Sequence, residues 1–294
     1  MISLCIKNNN SKIINTLNKN ISLINLENII YSTKTFSKYK NIIIHYTGSN
    51  IPEFYNEIAN SICNCIIQCY EPNIIKKTLY SNYFYFSNPD IEQIENNCSE
   101  LLSNSDTDKN HFSSQDTTNH DFSDRKIELW TIILKYITSH KSIVLDGFVN
   151  FRISAYLEYL DSAIDSAVNQ FVIDKEYFDF IDLLKLYINS NSPLTDFVHL
   201  IYKNGEAILL DKNKNLITPA ENNLNLNYLS DISFSSNDYA LNTLLQLEPA
   251  TIVIHLVSPA DDFINTIQLI FENRVQICTD CSICQIYKML KIQT

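Results

Sequence analysis

The side chains most able to do chemistry in this 294-residue chain lie near its end, where Cys278-Thr-Asp-Cys281-Ser-Ile-Cys284 sets three thiols at C-x2-C-x2-C. When the backbone curls, three thiolates at that spacing converge on one ion, and sulfur ligands favour zinc and iron–sulfur centres. A ferredoxin-type run would continue with three residues, a cysteine and a proline. Here Gln285-Ile-Tyr-Lys288 follows instead, so a fourth ligand must come from elsewhere in the chain or from solvent. His255, in the apolar strand before the cluster, is the leading candidate. Three thiolates and one imidazole would close the coordination shell, which makes structural zinc the first choice of cofactor. Packed or exposed thiols without metal are the alternative.

Other candidates read first as structure. His45 and His199 also fall within expected strands, as structural histidines. Cys63, Cys65 and Cys69 lie on an expected helix; Cys65 and Cys69 share a face and Cys63 points away, so apolar packing is expected of them. Arg152 is a lone cation near Asp146, Glu158, Asp161 and Asp165, which suggests a structural carboxylate pair or, if it lines a cleft, an anion or partner contact. Glu176 and Asp179, three apart on a helix, could pair for acid–base work only if burial split their pKa values. A solvated face is the expectation there.

Several classes of function are excluded. The chain has only three glycines, Gly48, Gly147 and Gly205, too far apart for any phosphate-cradling loop. The H-E-x-x-H and G-x-S-x-G signatures are missing. A formal charge of −11 and the lack of a clustered basic face argue against nucleic acid, including recognition through a C-terminal zinc site. No apolar run approaches the ~18 residues a membrane span needs. Met1–Lys7 lacks a basic leader and a long apolar stretch, and eight cysteines without a secretory signal suggest reduced thiols or metal ligands. A cytoplasmic location is therefore expected.

The elements that must position these residues read as α+β: mixed α/β N-terminal and C-terminal segments around a central amphipathic helical region. Residues 1–102 form the first mixed segment, with strands at Ile2–Ile6, Ile21–Ile30 and Asn41–Tyr46 and a helix at Ser11–Leu17. Pro52 opens a helix carrying Phe54, Ile58, Ile62, Ile66 and Cys69; a second runs through Leu79 and a third from Pro89 to Leu102. Residues 103–124 are almost wholly polar, and a disordered insertion is expected. The helical region, 125–192, starts with a stripe over Leu129, Ile132, Ile133, Tyr136 and Ile137. After a turn at Asp146-Gly147, an amphipathic segment runs from Phe148, followed by a second helix striped by Tyr177, Phe180, Ile181, Leu184 and Ile188. Residues 193–294 return to α/β. A hairpin turns at Asn204-Gly205, an Asn-rich loop reaches about Asn227, and a helix covers Asn237–Leu247. Strand Thr251–Val257, helix Asp262–Phe271 and strand Val275–Ile277 then suggest a parallel crossover.

Within this frame, Asp146-Gly-Phe-Val-Asn-Phe-Arg152, Tyr156-Leu and Asp174-Lys-Glu-Tyr-Phe-Asp-Phe180 resemble the YtxC-like family of sporulation proteins from endospore-forming bacteria. The likeness is clearest over Asp146–Ser192 and collinear through the C-terminal region. It implies a cytoplasmic, sporulation-associated role and transfers no reaction, cofactor or catalytic residue. A non-enzymatic protein acting through an unknown protein partner is therefore expected. The alternative is a metal-binding enzyme or redox protein, with zinc or iron–sulfur, built on the cysteine cluster.

Overall fold

The α+β class holds in the computed structural model, which describes residues 1–7, 11–104, 124–217 and 235–289. The chain folds as two units, Met1–Ile173 and Asp174–Thr294.

In the first unit, alternation along β1 (Ile2–Lys7) buries Ile2, Leu4 and Ile6. Helix α1 (Ser11–Ser22) buries Ile13, Ile14, Leu17 and Ile21 on one stripe. Strands β2 (Ile29–Thr35) and β3 (Tyr39–Tyr46) follow. Helix α2 (Ile51–Cys69) starts where the Asn50 side chain accepts from the Glu53 backbone, with Pro52 in the first turn. Then come α3 (Glu71–Asn82), α4 (Asn88–Asn104), α5 (Asp124–His140), β4 (Ser142–Val144), α6 (Leu145–Phe151) and α7 (Ser154–Ser190). The sheet order is β2-β3-β1-β4, with β1 antiparallel to β3 and parallel to β4. Its buried residues pack with Ile58 and Ile62 of α2 and Leu129 and Ile133 of α5 in one apolar core. Within that core Arg125 donates to the Leu102 carbonyl at 2.9 Å and pairs with Glu71 at 3.5 Å, while the Tyr156 hydroxyl donates to the same Glu71 carboxylate.

The second unit takes up α7 at Asp174 and continues with β5 (Thr195–Lys203) and β6 (Glu206–Leu210). Positive φ at Asn204 (53°) and Gly205 (84°) closes this hairpin as the Asn-Gly pair predicts. Helix α8 (Ser236–Leu247) begins with a reciprocal capping box between Ser235 and Asp238. Strand β7 (Pro249–Leu256) leads to α9 (Asp262–Phe271), where Asp261 accepts from the Phe263 and Ile264 backbones. A short turn, Glu272–Arg274, gives β8 (Val275–Cys278), and α10 (Ser282–Met289) closes the described chain. The sheet order is β6-β5-β7-β8, with β7 parallel to both neighbours, so the expected parallel crossover is present. Val198, Leu200, Tyr202, Ile252 and Ile254 face a core shared with α8 and α9. On the other face, Ile201 and Leu210 meet Ile283 of α10.

Four expectations shift. The strand expected at Ile21–Ile30 starts only at Ile29, because Ile21 and Ser22 complete α1; β2 is an edge strand exposed beyond Ile29. Gly147 lies inside α6 rather than in a turn before a helix. The two helices expected after Phe148 are instead short α6 and the continuous α7. Of the second stripe, Ile181 and Ile188 are buried, while Phe180 is 55% exposed and Tyr177 reaches Thr266 from the surface. The insertion at 103–124 falls, for residues 105–123, outside the described residues, as does the Asn-rich loop from residue 218. Among the described residues no helix is long and apolar enough to cross a membrane.

Candidate metal centre

Period-2 alternation in adjacent parallel strands supplies the first half of the site. The residues of β5 and β7 that do not face the main core include His199 and His255, and they point to the side covered by α10. Pairing of β7 with β8 sets His255 directly beside Cys278. The chain then turns, placing Cys281 just before α10 and Cys284 one turn into it. Ile283 is buried against the sheet, and the Lys203 ammonium donates to the Tyr287 carbonyl at 2.8 Å. Those two interactions hold the helix over the histidines.

The four expected ligands come together. One ligand atom from each of His255, Cys278, Cys281 and Cys284 lies within 4.8 Å of the other three, an arrangement that can hold a metal ion. His255 Nδ1 is 3.3 Å from Cys281 Sγ and 3.5 Å from Cys284 Sγ. Cys284 Sγ is 3.6 Å from Cys281 Sγ and 3.8 Å from Cys278 Sγ. His255 and Cys284 are buried; Cys278 and Cys281 are half-buried at the rim.

The electrostatics favour ligand-competent forms. Burial, then the neighbouring His199 and the Lys214 cation, lower the His255 pKa to about 4, so its imidazole is neutral and keeps a free lone pair at neutral pH. Burial raises the Cys281 thiol, but backbone N–H groups of Cys284 and Ile283 and the two neighbouring thiols outweigh it, and the net shift is downward. Burial and those neighbours push Cys278 up to about 11. Metal-ligating histidines commonly use one ring nitrogen for the ion and tie the other to a partner. Here His255 Nε2 is 2.8 Å from His199 Nδ1. An Nε2 proton on His255 donated to His199 would leave Nδ1 facing the thiols. Sequence alone makes His199 a structural histidine and misses this role. The signal that could find it is a pair of histidines on neighbouring parallel strands, both off the core-facing alternation.

The remaining candidates lie apart from this cluster. His45 is exposed on β3. Cys63, Cys65 and Cys69 are all buried, and their sulfurs face the Lys126 carbonyl, the Ile13 carbonyl and the Thr16 hydroxyl respectively. That is the packing expected of them, except that Cys63 is buried on its own side of α2. Burial raises the Cys65 thiol, with Cys69 adding to the effect. Arg152 is exposed with its guanidinium 6.0 Å over the Tyr136 ring, and among the described residues it makes no carboxylate pair. Glu176 and Asp179 are exposed on α7.

Comparison with known proteins gives two matches of different extent. The chain is 22% identical over 131 residues to a Bacillus subtilis (strain 168) protein named "Uncharacterized protein YtxC". That alignment covers 45% of this chain and 46% of the relative, about half of each. No solved structure matches. The family profile runs over residues 56–276, taking in His199 and His255 and stopping two residues before Cys278. With that profile spanning well over half of the sequence, the chain belongs to the YtxC-like family.

Proposed function

We propose that this protein is a non-catalytic, sporulation-associated protein that works through contacts with a protein partner, and that its second unit is held together by one structural zinc ion on His255, Cys278, Cys281 and Cys284. The observation that carries the zinc assignment is the spacing of the ligand atoms. Zn–S bonds of about 2.3 Å and a Zn–N bond of about 2.0 Å at tetrahedral angles place sulfurs about 3.8 Å apart and sulfur about 3.5 Å from nitrogen. The four separations between 3.3 and 3.8 Å lie close to those edges. Iron–sulfur clusters distribute their thiolates over separate irons, which calls for a wider arrangement than one confined within 4.8 Å. Four protein ligands also leave no position for substrate, which favours a structural over a catalytic ion.

The partner reading rests on family membership and on the surface of α7, where Phe180, Leu183, Leu186 and Tyr187 are each at least 49% exposed. Clustered apolar surface of this kind is usually a place of contact. Elemental analysis of the purified protein tests the metal: one zinc per chain is expected. Metal-free protein whose three C-terminal thiols titrate freely would refute it. Normal sporulation in a strain lacking the gene would defeat the sporulation role.

A further inference from the structure

We propose that Cys281 and Cys284 form a disulfide when the protein meets hydrogen peroxide, and that closing this bond ejects the zinc and frees α10 from the sheet. The inference rests on the zinc reading above and adds the regulation of that site.

Three observations carry it. Cys281 and Cys284 stand three residues apart across the start of α10, with sulfurs 3.6 Å apart. Residues at that spacing on a helix have Cβ atoms about 5–6 Å apart, so a modest shift of the first turn brings them to the roughly 3.5–4.5 Å a disulfide needs. Cys281 is half-buried and reachable from solvent, whereas Cys284 is fully buried behind it, so an attacking thiol and a resolving thiol are already distinguished by position. Finally, Cys63, Cys65, Cys69 and Cys98 are buried in the core of the first unit, out of reach of the same oxidant while that unit stays folded, which leaves half-buried Cys5 as the one thiol outside the cluster that peptide mapping must account for.

The chemistry balances. The Cys281 thiolate attacks one peroxide oxygen, the O–O bond breaks, and sulfenic acid and hydroxide form. The Cys284 thiolate then attacks the Cys281 sulfur; the S–S bond forms as the S–O bond breaks, and a second hydroxide leaves. Two protons from solvent convert both hydroxides to water. Each sulfur has given up one electron, and peroxide has taken two. The ion is left with His255 and Cys278 alone, half the closed set.

Zinc content is measured on the full chain first, then again after stoichiometric peroxide, with released zinc read by a colorimetric chelator and disulfides mapped by peptide mass. We expect one zinc per chain at the start, loss of nearly all of it with the loss of two thiols, a Cys281–Cys284 linkage, and recovery on adding a dithiol reductant and zinc. In Cys284→Ser, a sulfenic acid at Cys281 should be trapped by dimedone; if that variant does not fold, the wild-type mapping decides alone. Zinc retained through oxidation, or a linkage involving Cys278, overturns the inference and leaves the zinc reading standing. Absence of zinc before oxidation overturns the zinc reading, and the inference falls with it.

Discussion

On the zinc assignment proposed above, removing the metal should melt α10 and little else. The segment from Thr279 to Met289 meets the sheet through one buried apolar side chain, Ile283, with half-buried Tyr287 and Cys281 packed beside it, Cys284, and the bond from Lys203 to the Tyr287 carbonyl. Burying a side chain the size of isoleucine contributes about 1.5–3 kcal/mol. Structural zinc contributes about 10–16 kcal/mol of apparent binding energy in small domains at neutral pH. The metal term is several times the apolar one, whereas β5 and β7 are fixed by a separate core with Val198, Leu200, Ile252 and Ile254 buried. Amide hydrogen exchange resolves the two regions. A tight chelator should reduce protection in α10, including the Gln285 amide that donates to the Cys281 carbonyl at 2.9 Å, while β5 and β7 stay protected. Equal protection of α10 after zinc loss has been verified by elemental analysis would refute the argument that the ion holds this helix.

Other outcomes follow from named contacts. Cys281→Ser should release bound zinc and lower the thermal midpoint, read by metal analysis and calorimetry. His199→Phe removes the acceptor at His255 Nε2 and should weaken zinc binding about 10–100-fold in chelator competition, with His199→Asn recovering part of the loss by restoring an acceptor. Arg125→Ala leaves the buried Glu71 without its charge partner, with the Tyr156 hydroxyl still donating to it, and should destabilise the first unit by about 3–5 kcal/mol in denaturant unfolding. Asp261 is held below its ordinary value of 3.8, chiefly by the Tyr202 hydroxyl and then by backbone N–H groups against the opposing effect of burial. A depressed carboxyl stabilises the fold above its unfolded pKa and loses that contribution as pH falls through its folded value. Asp261→Asn should therefore lower the thermal midpoint at pH 7, and its deficit should shrink as acid protonates the wild-type carboxylate.

Much of this arrangement is legible in the sequence because local chemistry and tertiary packing agree. Pro52, the apolar run ending at Tyr46, Asn204-Gly205 and Asp262 each mark an element boundary that the fold respects. The thiol spacing and an imidazole in the preceding strand are enough to bring four candidate side chains to one place. The failures have physical causes. β2 is an edge strand whose residues beyond Ile29 are exposed, so alternating hydrophobicity gives no guide to its position. Phe180 and Tyr177 read as core because α7 is rich in apolar side chains all round, and periodicity alone does not say which of them a neighbour covers. α10 escapes a sequence reading because Ser282–Met289 has only eight residues, about two turns, too few for a helical period to stand out. The Glu71–Arg125–Tyr156 contact joins residues up to 85 apart, and no local pattern announces it.

The pairing of His255 with Cys278 also bears on how the chain reaches its native state. Successive side chains on a strand point to opposite faces, so a slip of β8 by one residue along β7 would turn Cys278 away from His255. β8 has only four residues and pairs with β7 in parallel, so registers one residue apart differ little in backbone hydrogen bonding. The correctly registered pair alone can present all four ligands to one ion. Metal capture would thus proofread the assembly of the sheet, and a newly made chain that stays empty in the presence of zinc would mark itself as mispaired.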